Sequence, residues 1–521
     1  MQNQNEITNE LEKSYNELPY RSSAFAQCSP LHLEACGRIL DINPQISANA
    51  KILEIGCSYG GNLIPFAFDN PNATIVGIDL SGEQIKKGSE LVKSFNLNNL
   101  KLIQANVCDI GDKLDEYGKF DYIITHGVYS WVPKVVRDAI LELISQKLAP
   151  NGVAYVSYNT YPGWKVKEII RDYMLFVSRN EASAKDKVAI ARKGLEVYKK
   201  FLQGKDDEDS KVILNWIENT LNHEDHYIAH EFLEAINVPF YFIDFVDDLH
   251  RHGLDYLCES DMNDLFRPNM GISEIDDFIA MGGGLDRVAQ EQFLDFYTQN
   301  RFRQSLIVHK DAYKNATKNI SVKEINRLHI VDYFAKSQDG YKNERGVLMS
   351  NSYEWLYLIF NQTYPQSINL GDLVSLIEPS LKLSAYLGFI EILSKGCKFY
   401  PKEMPSIRYE VGKTRLKQAL IPYVKYFLKE PNPVISFANE TNRYWKGVKQ
   451  QDFYALLKFD GKNDIYTIAD EFLKFVKANN ITLKDINGKE IKGVKNLNEF
   501  AINYILDIEI RLAQEHFFEI F

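Results

Sequence analysis

The stretch that constrains this chain most is residues 51–61, KILEIGCSYGG. Lys51 to Ile55 alternates apolar residues as a short buried strand does, and it ends in the pair Glu54-Ile55. Gly56, Ser58, Gly60 and Gly61 then form a turn that opens a helix from Asn62. A glycine-rich strand-to-helix turn lets backbone N–H groups come close to a ligand. A second apolar strand, Ala73 to Ile78, ends in Asp79. An acid at the tip of the second strand, about 20 residues on, is placed to accept hydrogen bonds from two ribose hydroxyls. This pattern predicts a nucleoside cofactor at the carboxyl ends of an α/β sheet.

The turn reads Glu-x-Gly-x-Ser-x-Gly and so departs from the dinucleotide pattern G-x-G-x-x-G. A pyrophosphate has little use for a carboxylate at Glu54, whereas the charged amino group of S-adenosylmethionine does. The pattern resembles motif I of class I methyltransferases. The bland alternative is a plain β-α-β unit with a tight turn. On the methyltransferase reading the cofactor residues begin with Glu54, Gly56, Ser58, Gly60, Asp79 and its neighbour Leu80.

Composition bounds the rest. A chain of 521 residues that is 45% hydrophobic and 25% charged can build two to four domains with full cores. Its net charge of −10 argues against a nucleic-acid partner, which shows as a basic face. The polar start, MQNQNEITNELEKSY, lacks an apolar signal core, and there is no apolar run long enough to span a membrane. The six cysteines (28, 36, 57, 108, 258, 397) are scattered, with no C-x-x-C pair. That fits reduced thiols rather than disulfides or zinc, predicts no metal, and with the missing signal points to the cytoplasm.

Residues 15–36 are rich in aromatics for a lead-in: Tyr15, Tyr20 and Phe25. They form either a packing arm or a lid over the cofactor, and a sulfonium attracts aromatic faces. Ser81 can cap the helix after Asp79, with Gln84 in its first turn beside the cofactor. The third strand, Leu100 to Gln104, leads to Asn106-Val107-Cys108-Asp109. Asn106 as a side-chain acceptor and the Val107 backbone are placed for an adenine; the family usually has Asp at the position of Asn106, and Asp109 is the alternative acid.

The fourth strand, Phe120 to Thr125, ends in His126-Gly127-Val128-Tyr129-Ser130-Trp131-Val132-Pro133. His126 is a candidate base or a satisfied structural histidine. The fifth strand, Val153 to Tyr158, runs into Asn159-Thr160-Tyr161-Pro162-Gly163-Trp164. The two aromatic-rich loops predict an acceptor pocket walled by Tyr129, Trp131, Tyr158, Tyr161 and Trp164, with Asn159 or a backbone carbonyl receiving the amine. His126 and Gly127 join the cofactor set.

YNELPYRSSAF, EIGCSYGGNLIPFA, GIDLSGEQI, HGVYSWVP and SYNTYPGW together resemble methyltransferases that carry a methyltransferase regulatory domain. Rickettsial enzymes that methylate lysines of an outer-membrane protein are in that group. The resemblance continues through 230–262 and 291–311 and weakens beyond. It implies S-adenosylmethionine as cofactor, a protein lysine as acceptor and no metal.

Three parts are expected. Residues 1–180 form the cofactor-binding core of a Rossmann-like seven-stranded class I methyltransferase sheet. Residues 181–315 form a helical middle region that contributes the last two strands, 254–258 and 302–309, and either a dimer surface or a substrate cover. Helices at about 180–245 and 262–300 would be insertions, with the glycines at 282–284 as a break, and the acidic run 204–211 a solvated loop. Residues 316–521 form a mainly α, winged-helix-like region (354–360, 368–377, 382–395, a wing at 395–401), with a second such unit at 452–475 and a closing helix from 497 to 517. Low basicity favours protein contact there over DNA. Two other classes share these features: a small-molecule N- or O-methyltransferase, and a non-catalytic protein that senses the cofactor.

Overall fold

The computed structural model describes residues 21–261, 286–316, 322–484 and 488–521. Tyr15, Tyr20 and the glycines at 282–284 lie outside them.

Seven strands form the central sheet: β1 (Lys51–Ile55), β2 (Thr74–Asp79), β3 (Leu100–Gln104), β4 (Phe120–Thr125), β5 (Leu148–Asn159), β6 (Leu254–Glu259) and β7 (Phe302–His309). Their order is β3-β2-β1-β4-β5-β7-β6. The first five pair in parallel, and β7 runs antiparallel between β5 and β6. This is the Rossmann-like sheet expected, and the proposed closing pair is present at nearly the proposed residues. The order reverses at β1 and β4, so their carboxyl ends flank a crevice, the general ligand position in such sheets.

Alternation sorts the side chains of β5. Ala154, Val156 and Tyr158 enter one apolar cluster with Leu53, Ile123 and Phe245. Val153 and Tyr155 enter the opposite one with Ile52 and Phe66. That second cluster does not stop at the sheet. It runs on through Phe95 into Tyr423, Phe427, Phe437 and Phe517 of the C-terminal region. The C-terminal region is therefore seated on the core, with the Lys417–Asp69 ion pair at 2.6 Å across the seam.

Helices Trp164–Ser178, Ala184–Leu202, Glu208–Leu221 and Asp225–Phe232 carry their own cluster around Met174, Leu195 and Ile217. Beyond residue 322, helices Glu354–Thr363, Leu370–Leu376 and Lys382–Ser394 form where expected. Short strands accompany them that the sequence did not reveal. His329–Val331 pairs with both Ile368–Asn369 and Lys398–Tyr400. Runs of two or three residues are too short to show alternation. Residues 368–369 thus leave the helix expected at 368–377, and the closing helix is Val494–Gln514. Among the described residues no helix is long and apolar enough to cross a membrane.

Candidate functional site

The turn after β1 closes on the neighbouring strand: Gly56 N and Cys57 N both donate to Ile78 O, at 2.8 and 3.1 Å. Gly56 and Gly60 have φ of 79° and 80°, where a Cβ is strained. At Gly56 a Cβ would also strike Val128. Glu54 is buried beneath this turn. Its Oε1 accepts from Asn62 Nδ2 at 3.0 Å, and its Oε2 has no hydrogen-bond partner. Burial pushes the Glu54 carboxyl up to about 8, against the pull of the Asn62 bond. A buried acid with one bonded and one orphaned oxygen is suited to a ligand cation.

Asp79 occupies the tip of β2. Ser58 N donates to its Oδ2 at 2.8 Å and Ser81 N to its Oδ1 at 2.9 Å. Each oxygen keeps lone-pair capacity for a hydroxyl donor. Ser81 caps the next helix through Gln84 N at 3.2 Å, as expected, which fixes Gln84 at its buried first turn. Leu80 is half-buried alongside, and its carbonyl accepts from Gln104 Nε2 at 3.3 Å. Asn106 Oδ1 accepts from Cys108 N at 3.0 Å, an Asx turn that holds the loop carrying Val107.

A cavity of about 520 Å³ opens beside the turn. Glu54, Gly56, Ser58, His126 and Gly127 line it, together with Ser22 and Phe25 of the lead-in. His126 Nδ1 lies 3.0 Å from Tyr155 OH, and its ring lies 4.0 Å from that of Phe25. Burial pushes the imidazole down to about 4, so it is an uncharged wall at neutral pH.

Of the expected acceptor residues, Trp131, Asn159 and Trp164 line this same cavity. The two indoles meet edge to face, 6.4 Å apart. Asn159 Nδ2 donates to Asn237 Oδ1 at 3.0 Å, which holds the side-chain amide, and its backbone N donates to Ser130 Oγ at 2.9 Å, which holds the main chain.

The structure does not bring Tyr129, Tyr158 or Tyr161 to the cavity lining. Tyr158 shares the inward face of β5 with Ala154 and Val156, and its ring lies 4.1 Å from Phe245. Tyr129 packs edge-on to the same Phe245 at 5.4 Å. Tyr161 donates to Glu168 Oε1 at 2.5 Å and lies under Lys165. The burial of Tyr158 follows the strand's period of two, whereas Tyr129 lies in the short turn Tyr129–Trp131 and Tyr161 just past the end of β5.

Other lining residues escaped the sequence reading. Asn62, one residue beyond the glycines, holds Glu54. Tyr227, His230 and Glu231 follow the i, i+3, i+4 spacing of one face of the helix Asp225–Phe232, a signal that was there to read, and Glu234 lines the cavity from just beyond the helix end. Lys167 stands 4.8 Å above the Trp164 ring, with its Nζ 2.7 Å from Glu231 Oε1. Arg301 and Phe302 come from the start of β7.

Comparison with known proteins agrees with this geometry. A model described as "Methyltransferase domain" matches residues 53–154, and one described as "Predicted methyltransferase regulatory domain" matches 224–309. Uncharacterized protein RP789 of Rickettsia prowazekii (strain Madrid E) is 32% identical over 515 residues, covering 93% of this chain and 90% of that one. Uncharacterized protein RP028 of the same organism is 36% identical over 238 residues, 46% of this chain and 94% of that one. The structure of PKMT2 from Rickettsia typhi in complex with AdoHcy superposes with a TM-score of 0.82 at 25% identity, covering 96% of this chain and 100% of that one. The orphaned Glu54 oxygen and the bare Gly56 cradle suit such a ligand's amino-acid end. This chain belongs to the S-adenosylmethionine-dependent methyltransferases that carry a methyltransferase regulatory domain.

Proposed function

We propose that this methyltransferase transfers a methyl group to the side-chain amine of lysine in a protein substrate. The observation that carries the reading is Lys167. Its Nζ lies 4.8 Å from the Trp164 ring and 2.7 Å from the Glu231 carboxylate, in the cavity that Glu54 and Gly56 also line. A primary alkylammonium thus already finds an aromatic face and an anion there. Likeness to PKMT2 over nearly the whole chain supports the same acceptor. The motif resemblance makes an outer-membrane or surface protein the first substrate to try.

Glu54 takes the cofactor's ammonium, Asp79 its ribose with Leu80 and Gln84 beside it, and Asn106 and Val107 its adenine. Bound there, S-adenosylmethionine supplies a methyl carbon on a sulfonium, open to in-line displacement by an amine. The chain's task is alignment and an uncharged amine. An ordinary lysine has a pKa near 10.4, so neutralising it at pH 7 costs about 4–5 kcal/mol. Trp131 and Trp164 lower that cost by taking the amine out of water. Asn159 Oδ1 accepts an amine proton, its amide fixed by Asn237. Residues 1–180 hold the cofactor, 181–315 cover the acceptor, and 316–521, with its wing-like 395–401 segment, contacts protein.

The test is mass spectrometry of surface proteins and total lysate after incubation with enzyme and S-adenosylmethionine. Methyl shifts on lysines, absent with Trp131→Leu, support the reading. Methylation confined to small molecules, or cofactor binding with no modified protein, overturns it.

A further inference from the structure

A second cavity, of about 240 Å³, lies where the core meets the C-terminal region, and it shares no lining residue with the first. Arg345, Lys398 and Arg443 line it against one carboxylate, Asp261. Lys398 is engaged by Glu344 at 2.6 Å. Arg443 is bonded to Tyr400 and also feels the Glu515 and Glu344 carboxylates from outside the cavity lining. Arg345 stays 3.9 Å from Asp261 and is more than half exposed; its guanidinium lies so close to Gly396, at φ 77°, that a Cβ there would collide with it. Two guanidinium groups on one cavity suit an oxyanion, whose paired oxygens match the guanidinium fork.

Ser29 supplies an independent sign. It is 1% exposed, lines this cavity, and its Oγ has no hydrogen-bond partner. It is also the N-cap residue of the helix Pro30–Ile39, yet makes no side-chain cap bond. A hydroxyl left unbonded in the interior is costly, and one at a helix N-terminus beside arginines is placed to donate to an anion. His32, on the next turn, is kept uncharged by burial and is held by Ser260 O at 2.8 Å, so it does not compete.

We propose that this cavity is a binding site for a small phosphate-type anion, and that its occupancy is felt at the cofactor turn. The link runs through two short segments. Thr441 and Arg443 line the anion cavity, and Asn442 between them donates to Asn62 Oδ1 at 2.8 Å and to Asn62 O at 2.9 Å. Asn62 in turn holds Glu54. On the other wall, Ala26, Gln27 and Ser29 face the anion cavity, while Ser22, Ser23 and Phe25 of the same lead-in face the cofactor's. An anion that fixes 441–443 and 26–29 fixes Asn62 and the lead-in as well, and so tightens cofactor binding; the effect is reciprocal.

The experiment is calorimetric titration of the full chain with inorganic phosphate and with pyrophosphate at constant ionic strength. S-adenosylmethionine is then titrated with and without saturating anion. One equivalent of anion is expected to bind. Arg345→Met, at an exposed side chain, should weaken it about tenfold, and Ser29→Ala about threefold. Cofactor Kd should fall about threefold or more with anion in the natural protein and stay unchanged in Arg345→Met. Absence of binding, binding that Arg345→Met leaves intact, or a cofactor shift that chloride reproduces overturns the site. Anion binding without any change in cofactor affinity overturns the coupling. None of these outcomes depends on the identity of the methyl acceptor.

Discussion

Asn442 and Asn62 are 380 residues apart in sequence, and the side-chain nitrogen of the first donates to the side-chain oxygen of the second at 2.8 Å, both buried. Asn62 Oδ1 also accepts from Phe25 N at 3.0 Å, while its Nδ2 donates to Glu54. One amide therefore joins the C-terminal region, the lead-in and the acid under the cofactor turn.

Asn442→Ala removes that support without touching the cofactor cavity's lining. The Asn62 amide then keeps the Phe25 N–H on its oxygen but loses its buried support, and holds Glu54 less firmly. A bond between two neutral amides is worth about 0.5–1.5 kcal/mol. Cofactor Kd is expected to rise up to about tenfold by calorimetry. A change of less than about twofold would show that the C-terminal region is only a support.

Glu54 should make cofactor binding release a proton. Its folded value, near 8, lies above the ordinary 4.5. The stability tied to its proton is therefore complete below about 4.5 and is lost as pH rises toward about 8. A ligand ammonium favours the carboxylate, so binding at pH 6.5 expels the proton. Calorimetry in buffers of differing ionisation enthalpy should read close to one proton released, and none for Glu54→Gln. Equal release from both proteins would remove Glu54 from the role.

Trp131 is half-buried, whereas Trp164 is 1% exposed and its loss would cost the fold about 3–5 kcal/mol. Trp131→Leu is thus the cleaner probe of the acceptor wall. We expect kcat/KM for a lysine-bearing acceptor to fall about 10- to 100-fold with cofactor Kd within about twofold. Equal loss in both would place Trp131 on the cofactor instead.

Glu231→Gln removes the anion that now meets Lys167. Acceptor KM should rise about tenfold while kcat changes little, since the charge acts before the amine is neutral. A fall in kcat alone would assign Glu231 to proton handling.

Arg303 sits on β7, 2% exposed, among Glu259, Glu291 and Asp295 at 2.9, 3.2 and 2.8 Å. Burial already raises the Glu291 and Asp295 carboxyls. Arg303→Met leaves three buried acids without their cation, a loss of about 3–5 kcal/mol. The variant should be most stable at acid pH, where Glu291 and Asp295 are protonated, and weaken as pH rises through the raised values of those two carboxyls. Urea unfolding from pH 5 to 8 would show it; a flat difference would mean that the acids find other partners.

The sequence was legible wherever local chemistry was strong. The glycine turn, Asp79 at a strand tip and the Ser81 cap each follow from a few adjacent residues. The closing strands 254–258 and 302–309 were readable because the class I fold calls for a hairpin after its fifth strand, and short strand-like segments follow Gly253 and Arg301. The acceptor loops were legible only in part. Their aromatics were plain, but which of them face the cavity depends on how the turn Tyr129–Trp131 and the helix from Trp164 pack, and strand alternation sorts only Tyr158 and Asn159. Trp131, Asn159 and Trp164 reach the cavity; Tyr129 and Tyr158 went into the core.

What the sequence by itself determined is the methyltransferase sheet, its cofactor turn and the placing of two aromatic loops at neighbouring strand tips. Local periodicity and turn chemistry suffice for those. Tertiary structure alone decided that Asn442 would steady Glu54, that Lys167 and Glu231 would meet in the cavity beside the cofactor turn, and that Arg345, Arg443 and Ser29 would meet at one cavity. Such pairings join residues far apart in sequence, 64 positions for Lys167 and Glu231 and 380 for Asn442 and Asn62. They are set by how the helices Trp164–Ser178 and Asp225–Phe232 pack together and by how the C-terminal region packs its apolar face onto the sheet, and no local pattern encodes that.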